Sequence, residues 1–173
     1  MSKNPFGPEL TDVQFALIGR IAVQWTRCEN VLQEILASLA WAPRYFGRAL
    51  TNSLGPDNRI GAIKSLCMIH EKQMLCQVVS LEQITKIRQI AVRFDALKGE
   101  RNKFIHWSAI RKDDDNLFFS PLKSLPADPK GGDCMLASNA EMLAFSEAIA
   151  TLTYEMMLVE KHLPNLDWPK PSP

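Results

Sequence analysis

The sequence is short of the features that mark most functional classes at a glance. Its 20 Lys and Arg are offset by 19 Asp and Glu, a formal net charge of +1. No global field recruits nucleic acid or membrane, so any basic surface must be local. The cysteines, Cys28, Cys67, Cys76 and Cys134, form no CxxC pair and have no metal-ligand spacing. They read as reduced thiols packed as small core residues. With no signal-peptide pattern at the N-terminus, the expectation is a cytoplasmic protein. No apolar run reaches bilayer length, so no membrane contact is expected. Histidine is scarce, with three in 173 residues, and no Asp/Glu/His set has the spacing of a metal site. Neither a metal nor another cofactor is expected. There is no internal repeat, and the length suits one domain with a real core.

What is present is mostly helical pattern. Residues 1–9, with Pro5, Gly7 and Pro8, read as a flexible arm, and residues 10–163 as a single helical domain. Thr11 to Gln14 has the form of a capping box, which opens a helix running to about Trp41 and stopped by Pro43. Its stripe is Ile18, Ala22, Trp25, Glu29, Leu32 and Leu36, so Glu29 is the one charge in an apolar line. A short helix follows over Arg44 to Leu54, carrying Tyr45, Phe46 and Leu50. A third, capped by Asp57, turns Ile60, Ile63, Leu66, Cys67 and Ile69 inward and fades after His70. Ser80 to Gln83 is another capping box and opens a fourth helix that ends near His106.

Residues 107–122 then change period. Trp107 to Ile110 and Leu117 to Ser120 flank a turn signal, Asp113-Asp114-Asp115-Asn116, and predict a β-hairpin. The glycine and terminal glutamate of an EF-hand loop are missing there. Residues 123–137 read as a loop. Ser138 to Glu141 is one more capping box, before a helix with the stripe Met142, Phe145, Ile149, Leu152, Met156, Val159 and Leu163. Residues 164–173 form a Pro-rich tail in which Trp168 has no assigned dock. The fold class is all-α, an up-and-down bundle of four or five helices with a small β-hairpin after the fourth.

The most informative stretch is Arg101-Asn102-Lys103-Phe104-Ile105-His106-Trp107. On a helical wheel Ile87, Ile90, Phe94, Leu97, Phe104 and Ile105 share one apolar arc, and Arg101 falls inside it. A guanidinium aimed at a core needs a partner. Asn102 and His106, four apart, stack on one flank, beside Asp95 and Arg88. An imidazole one turn from a carboxamide and next to a guanidinium is a candidate acid–base site. The plainer reading is structural: Glu29 and Arg101 each interrupt an apolar stripe, and if the two helices pack face to face they form a register-setting ion pair.

Arg, a polar residue, then His after a few more positions, at the end of a long helix in a small bundle, resembles the HEPN superfamily, the higher-eukaryote and prokaryote nucleotide-binding domains. The likeness in architecture covers roughly residues 10–163; the motif covers 101–106. One departure is Trp107, where many similar sequences carry a small residue after the His; it either crowds the site or adds a stacking surface. The resemblance implies a metal-independent endoribonuclease acting as a homodimer on single-stranded RNA, in a toxin or phage-defence setting with a cognate antitoxin. Arg101, Asn102 and His106 would be catalytic, and Glu29, Trp25 and Trp107 supporting. Lys98, Lys103 and Arg88 would hold RNA, on a basic strip that otherwise reads as a solvated helix face. Phe118 and Phe119 either stack on bases or pack the hairpin. The alternative function is a non-catalytic HEPN-like dimerisation module that binds RNA, a nucleotide or a protein.

Overall fold

Three capping boxes written in the sequence start three of the helices. The computed structural model describes residues 9–72, 78–121 and 134–164. At the first box, Gln14 N–H donates to Thr11 Oγ1 at 3.2 Å and Thr11 N–H to Gln14 Oε1 at 2.9 Å. The same reciprocal pair joins Ser80 and Gln83. At the third, Ser138 N–H donates to Glu141 Oε2 and Glu141 N–H to Ser138 Oγ. Each box satisfies backbone donors that a helix start leaves without partners.

The elements in order are α1 (Asp12–Leu39), α2 (Arg44–Asn52), α3 (Pro56–Glu71), α4 (Leu81–His106), β1 (Ser108–Arg111), β2 (Asn116–Ser120), β3 (Met135–Ser138) and α5 (Asn139–Glu160). This is an all-α bundle of five helices with a β-hairpin after α4. The described residues fall into two compact units: those within 1–25 and 97–150, and those within 26–96 and 151–173.

In the first unit, β1 and β2 pair antiparallel, with Ser108 opposite Ser120 and Ile110 opposite Phe118. The sheet has a third strand that the sequence reading took for loop. β3 pairs with β2, placing Phe118 opposite Leu136. Met135 to Ser138 is too short, and too close to a capping box, to announce itself as a strand. Alternation sorts the sheet: Leu117, Phe119 and Ala137 are buried, while Ile110, Phe118 and Leu136 face outward. Phe119 is therefore core and not a stacking surface. The Asp-rich turn is closed from inside, with Asp113 Oδ1 accepting from Asp115 N–H and Asn116 Nδ2. Gln14, fully buried, ties α1 to that turn by donating to the Asp113 carbonyl at 2.9 Å.

The second unit corrects three boundaries. α1 stops at Leu39, before Pro43, because the chain closes it with a Schellman turn. Ala42 N–H donates to Ala37 O and Trp41 N–H to Ser38 O, and Trp41 takes the left-handed backbone at φ 53°. α2 ends at Asn52, and its Phe46 and Leu50 are exposed. Asp57 does not cap α3; Gly55 occupies the cap with no side-chain bond, and Pro56 begins the helix. Of the predicted inward residues on α3, Ile60, Ile63 and Cys67 are buried, and Leu66 and Ile69 half-buried. Burial pushes the thiols of Cys28 and Cys67 up to about 11, and both are free cysteines, as is Cys134.

α1 and α2 approach closely at Gly47. A methyl group there would collide with Ala37 Cβ and also press on Ala42 Cβ. Gly47→Ala should thus destabilise the protein by about 1–3 kcal/mol from overpacking, against a helix-propensity gain of about 1 kcal/mol at most. Thermal melts should show a lower midpoint, not the rise that Gly→Ala gives in an open helix.

In α5, Met142, Ile149, Leu152 and Met156 are fully buried, and Phe145 and Val159 half-buried. By length and composition α5 is apolar enough to cross a membrane, the one such helix among the described residues, so the expectation that no run reaches bilayer length is corrected: its few charges are spread thinly along the helix. The core helix of a bundle meets the same criterion, and most of the stripe of α5 is buried. Glu141 at its start is exposed, and the Ser138 amide and hydroxyl hold its carboxyl below the usual range. The sign follows: a depressed carboxylate stabilises above its unfolded pKa and loses this as pH falls through the folded value. Amide exchange over the first turn of α5 should accelerate in that acidic window, and Glu141→Gln should remove the pH dependence. The arm, Cys76, most of the predicted 123–137 loop and the tail with Trp168 lie outside the described residues.

Candidate functional site

The last turn of α4 is seated by aromatic packing. Phe104, nearly buried, meets Phe119 edge-on with centroids 5.1 Å apart and Phe145 at 5.0 Å. One face of the helix end is thus locked onto the sheet and α5. On the wheel, Asn102 and His106 lie about 160° from Phe104, on the opposite side, while Arg101, about 60° from it, stays at the edge of the packed face.

Arg101 is the hub. Its guanidinium lies over the indole of Trp25, 5.5 Å from the ring centroid. Trp25 itself is 1% exposed, so it is a fixed platform, and the contact is a cation–π pair. Arg101 Nη1 donates to Asn102 Oδ1 at 3.1 Å and to His106 Nε2 at 3.0 Å. Its Nε is buried and has no hydrogen-bond partner among the described residues. An arginine carries donors only, so a hydrogen bond in this contact requires the Nδ1–H tautomer of His106, with Nε2 accepting. Asn102 and His106 are exposed and Arg101 is half-buried. A long-range proton–nitrogen NMR spectrum should show His106 as the Nδ1–H tautomer, and Arg101→Ala should return it to the mixture typical of a free imidazole.

Arg101, Asn102, His106 and Trp25 are therefore brought together in the first unit. Trp107 is half-buried, and its N–H donates to the Lys103 carbonyl at 3.3 Å, closing the helix end. Lys98 is half-buried. Glu29, half-buried on α1, and Arg88 belong to the second unit.

The basic strip is largely paired with acids. Lys103 bonds Glu100 at 2.7 Å, Arg88 bonds Glu71 through both terminal nitrogens, and Lys86 bonds Glu82. Arg93 pairs with Glu155 and Arg111 with Asp114. Spacing along α4 suggested a run of cations because Glu71 and Glu155 come from other helices. Lys112 lies over the Phe118 ring at 5.7 Å. Among the described residues no group of three or more His, Cys, Asp or Glu is arranged to hold a metal ion.

Sequence reasoning found the three polar residues because a guanidinium inside an apolar arc is conspicuous. It did not find the seat made by Phe119 and Phe145, which periodicity marks only as core. What the geometry offers is a half-buried cation, a carboxamide and an imidazole on one exposed helix end, held from below by an indole. Compared with known proteins, the chain matches no family model, no curated protein and no solved structure.

Proposed function

We propose that the chain is a metal-independent endoribonuclease of HEPN type, a toxin or phage-defence component acting as a homodimer and restrained by a cognate antitoxin. The observation that carries this reading is the contact of one Arg101 nitrogen with both Asn102 and His106. A phosphodiester oxygen competes for the same guanidinium, since charge-assisted bonds to phosphate are stronger than bonds to a neutral ring nitrogen. Arrival of RNA thus transfers Arg101 to phosphate and frees His106 Nε2. The imidazole then takes the proton of the ribose 2′-hydroxyl, which attacks the adjacent phosphorus. The P–O5′ bond breaks as the leaving oxygen takes a proton from water, giving a 2′,3′-cyclic phosphate and a 5′-hydroxyl, and His106 returns its proton to solvent. Arg101 balances the charge that builds on the phosphorane, and Asn102 holds a phosphate oxygen or the ring. DNA, lacking the 2′-hydroxyl, is not cut by this route.

The engaged Nε2 favours a second reading, a binding module in which the same three residues recognise RNA or a nucleotide without chemistry. Purified protein incubated with single-stranded RNA in EDTA separates them. The nuclease reading expects cleavage that His106→Ala removes. Binding lost in Arg101→Ala, with no cleavage by the wild type, supports the module.

A further inference from the structure

The second unit contains a groove of about 860 Å³ that the proposed reaction does not use. It lies between α4 and α5, which run antiparallel there. At one end Gln83 Nε2 donates to the His162 carbonyl at 2.7 Å; at the other, Arg93 pairs with Glu155. Gln83 and Arg93 stand about 15 Å apart along the helix, at 1.5 Å per residue. The floor is aliphatic, with Ile90 buried and Val159 half-buried. Above it Val92 is 63% exposed and Leu158 46%. Single apolar side chains on a surface need no explanation, but a contiguous concave set does. The volume falls within the roughly 300–1,000 Å³ typical of small-molecule sites.

The charged side chains of the lining are Lys86, Arg88 and Arg93 against Glu155. Arg88 is held by two bonds to Glu71, and Arg93 by Glu155. Lys86 is different: its partner, Glu82, sits one turn back on the same helix with a side chain 77% exposed. A solvent-exposed pair of that kind contributes little, so an incoming anion displaces it easily. Gln89, one turn further along, offers an amide donor beside Lys86.

We propose that this groove binds a small amphipathic anion, a long-chain carboxylate in its simplest form. The apolar body lies on Ile90, Val92, Leu158 and Val159, and the head group rests on Lys86. The site is independent of the ribonuclease reading, since it uses none of Arg101, Asn102 or His106. The test titrates dansyl-undecanoate, a fluorescent long-chain carboxylate, into the full chain. Saturable blue-shifted emission is expected, weakened about tenfold by Lys86→Glu through loss of the charge-assisted contact and more than about tenfold by Leu158→Asp through loss of apolar contact. The methyl ester of the probe should bind about tenfold more weakly than the acid. Val92→Asp, at an exposed position where a polar side chain is tolerated, should also weaken binding, whereas Arg101→Ala should bind normally. Non-saturable emission, or affinity equal to the wild type's in Leu158→Asp and Val92→Asp, overturns the proposal. So does a dimer that Leu158→Asp dissociates while the probe fails to bind, since the groove then belongs to a second copy.

Discussion

His106→Ala is expected to lower the rate of RNA cleavage by about 10²–10⁴-fold, the range that one positioned general acid–base supplies. The fold should be untouched. His106 is exposed at the end of α4, and substitutions at such sites usually stay within about 0.5 kcal/mol. Arg101→Ala should be equally damaging to cleavage, by about 10²–10³-fold, the loss typical of one charge-stabilising donor. It should also cost about 0.5–2 kcal/mol of stability, because the guanidinium leaves the Trp25 ring. Arg101→Lys should not rescue activity: an ammonium has no planar face to lie over the Trp25 indole while its donors reach Asn102 and His106. Asn102→Ala should be the mildest of the set, since Asn102 shares its contact with Arg101 and is exposed. Rates of gel-resolved cleavage, measured beside thermal melts, give this ordering directly. Equal loss of activity and of folding in all three variants would mean the cluster is structural.

The second large effect is at Trp25. Trp25→Ala should destabilise the protein by about 3–5 kcal/mol, the usual cost of emptying a buried tryptophan site. That is much of a typical stability of about 5–15 kcal/mol, so partial unfolding at physiological temperature is expected. Trp25→Phe separates the two roles of the ring. It keeps most of the packing, and weakens the face presented to the guanidinium, because indole is the better cation–π partner. The Phe variant should therefore fold, with a modest drop in melting midpoint, yet lose the tautomer bias at His106 and cleave slowly. A Phe variant with wild-type tautomer and rate would mean that the Trp25 platform has no part in positioning Arg101.

How much of this was legible beforehand depends on range along the chain. Capping boxes are contained within four residues, and all three appear where the letters place them. Helix ends determined by backbone geometry are less visible. Nothing in Ala40-Trp41-Ala42 says that a tryptophan will take the conformation usually left to glycine. β3 was missed because a four-residue strand shows its alternation only against β2. The candidate site was legible for a specific reason: Arg101 sits where a helix of this pattern calls for leucine. Its relation to Trp25 was not, since two residues 76 positions apart in sequence are joined by packing alone. The acids that pair with Arg88 and Arg93 were hidden for the same reason, because Glu71 and Glu155 approach α4 from other helices.

The central claim is that Arg101, Asn102 and His106 together carry out chemistry at a ribose phosphate. The most direct measurement incubates the purified protein in EDTA with one single-stranded oligonucleotide in two forms, RNA and its 2′-deoxy counterpart, and determines the new ends by mass spectrometry. The account predicts that only the RNA is cut, leaving 2′,3′-cyclic phosphates and 5′-hydroxyls, and that His106→Ala leaves it whole. An intact RNA, cleavage of the deoxy form at a similar rate, or an undiminished rate in His106→Ala would contradict it.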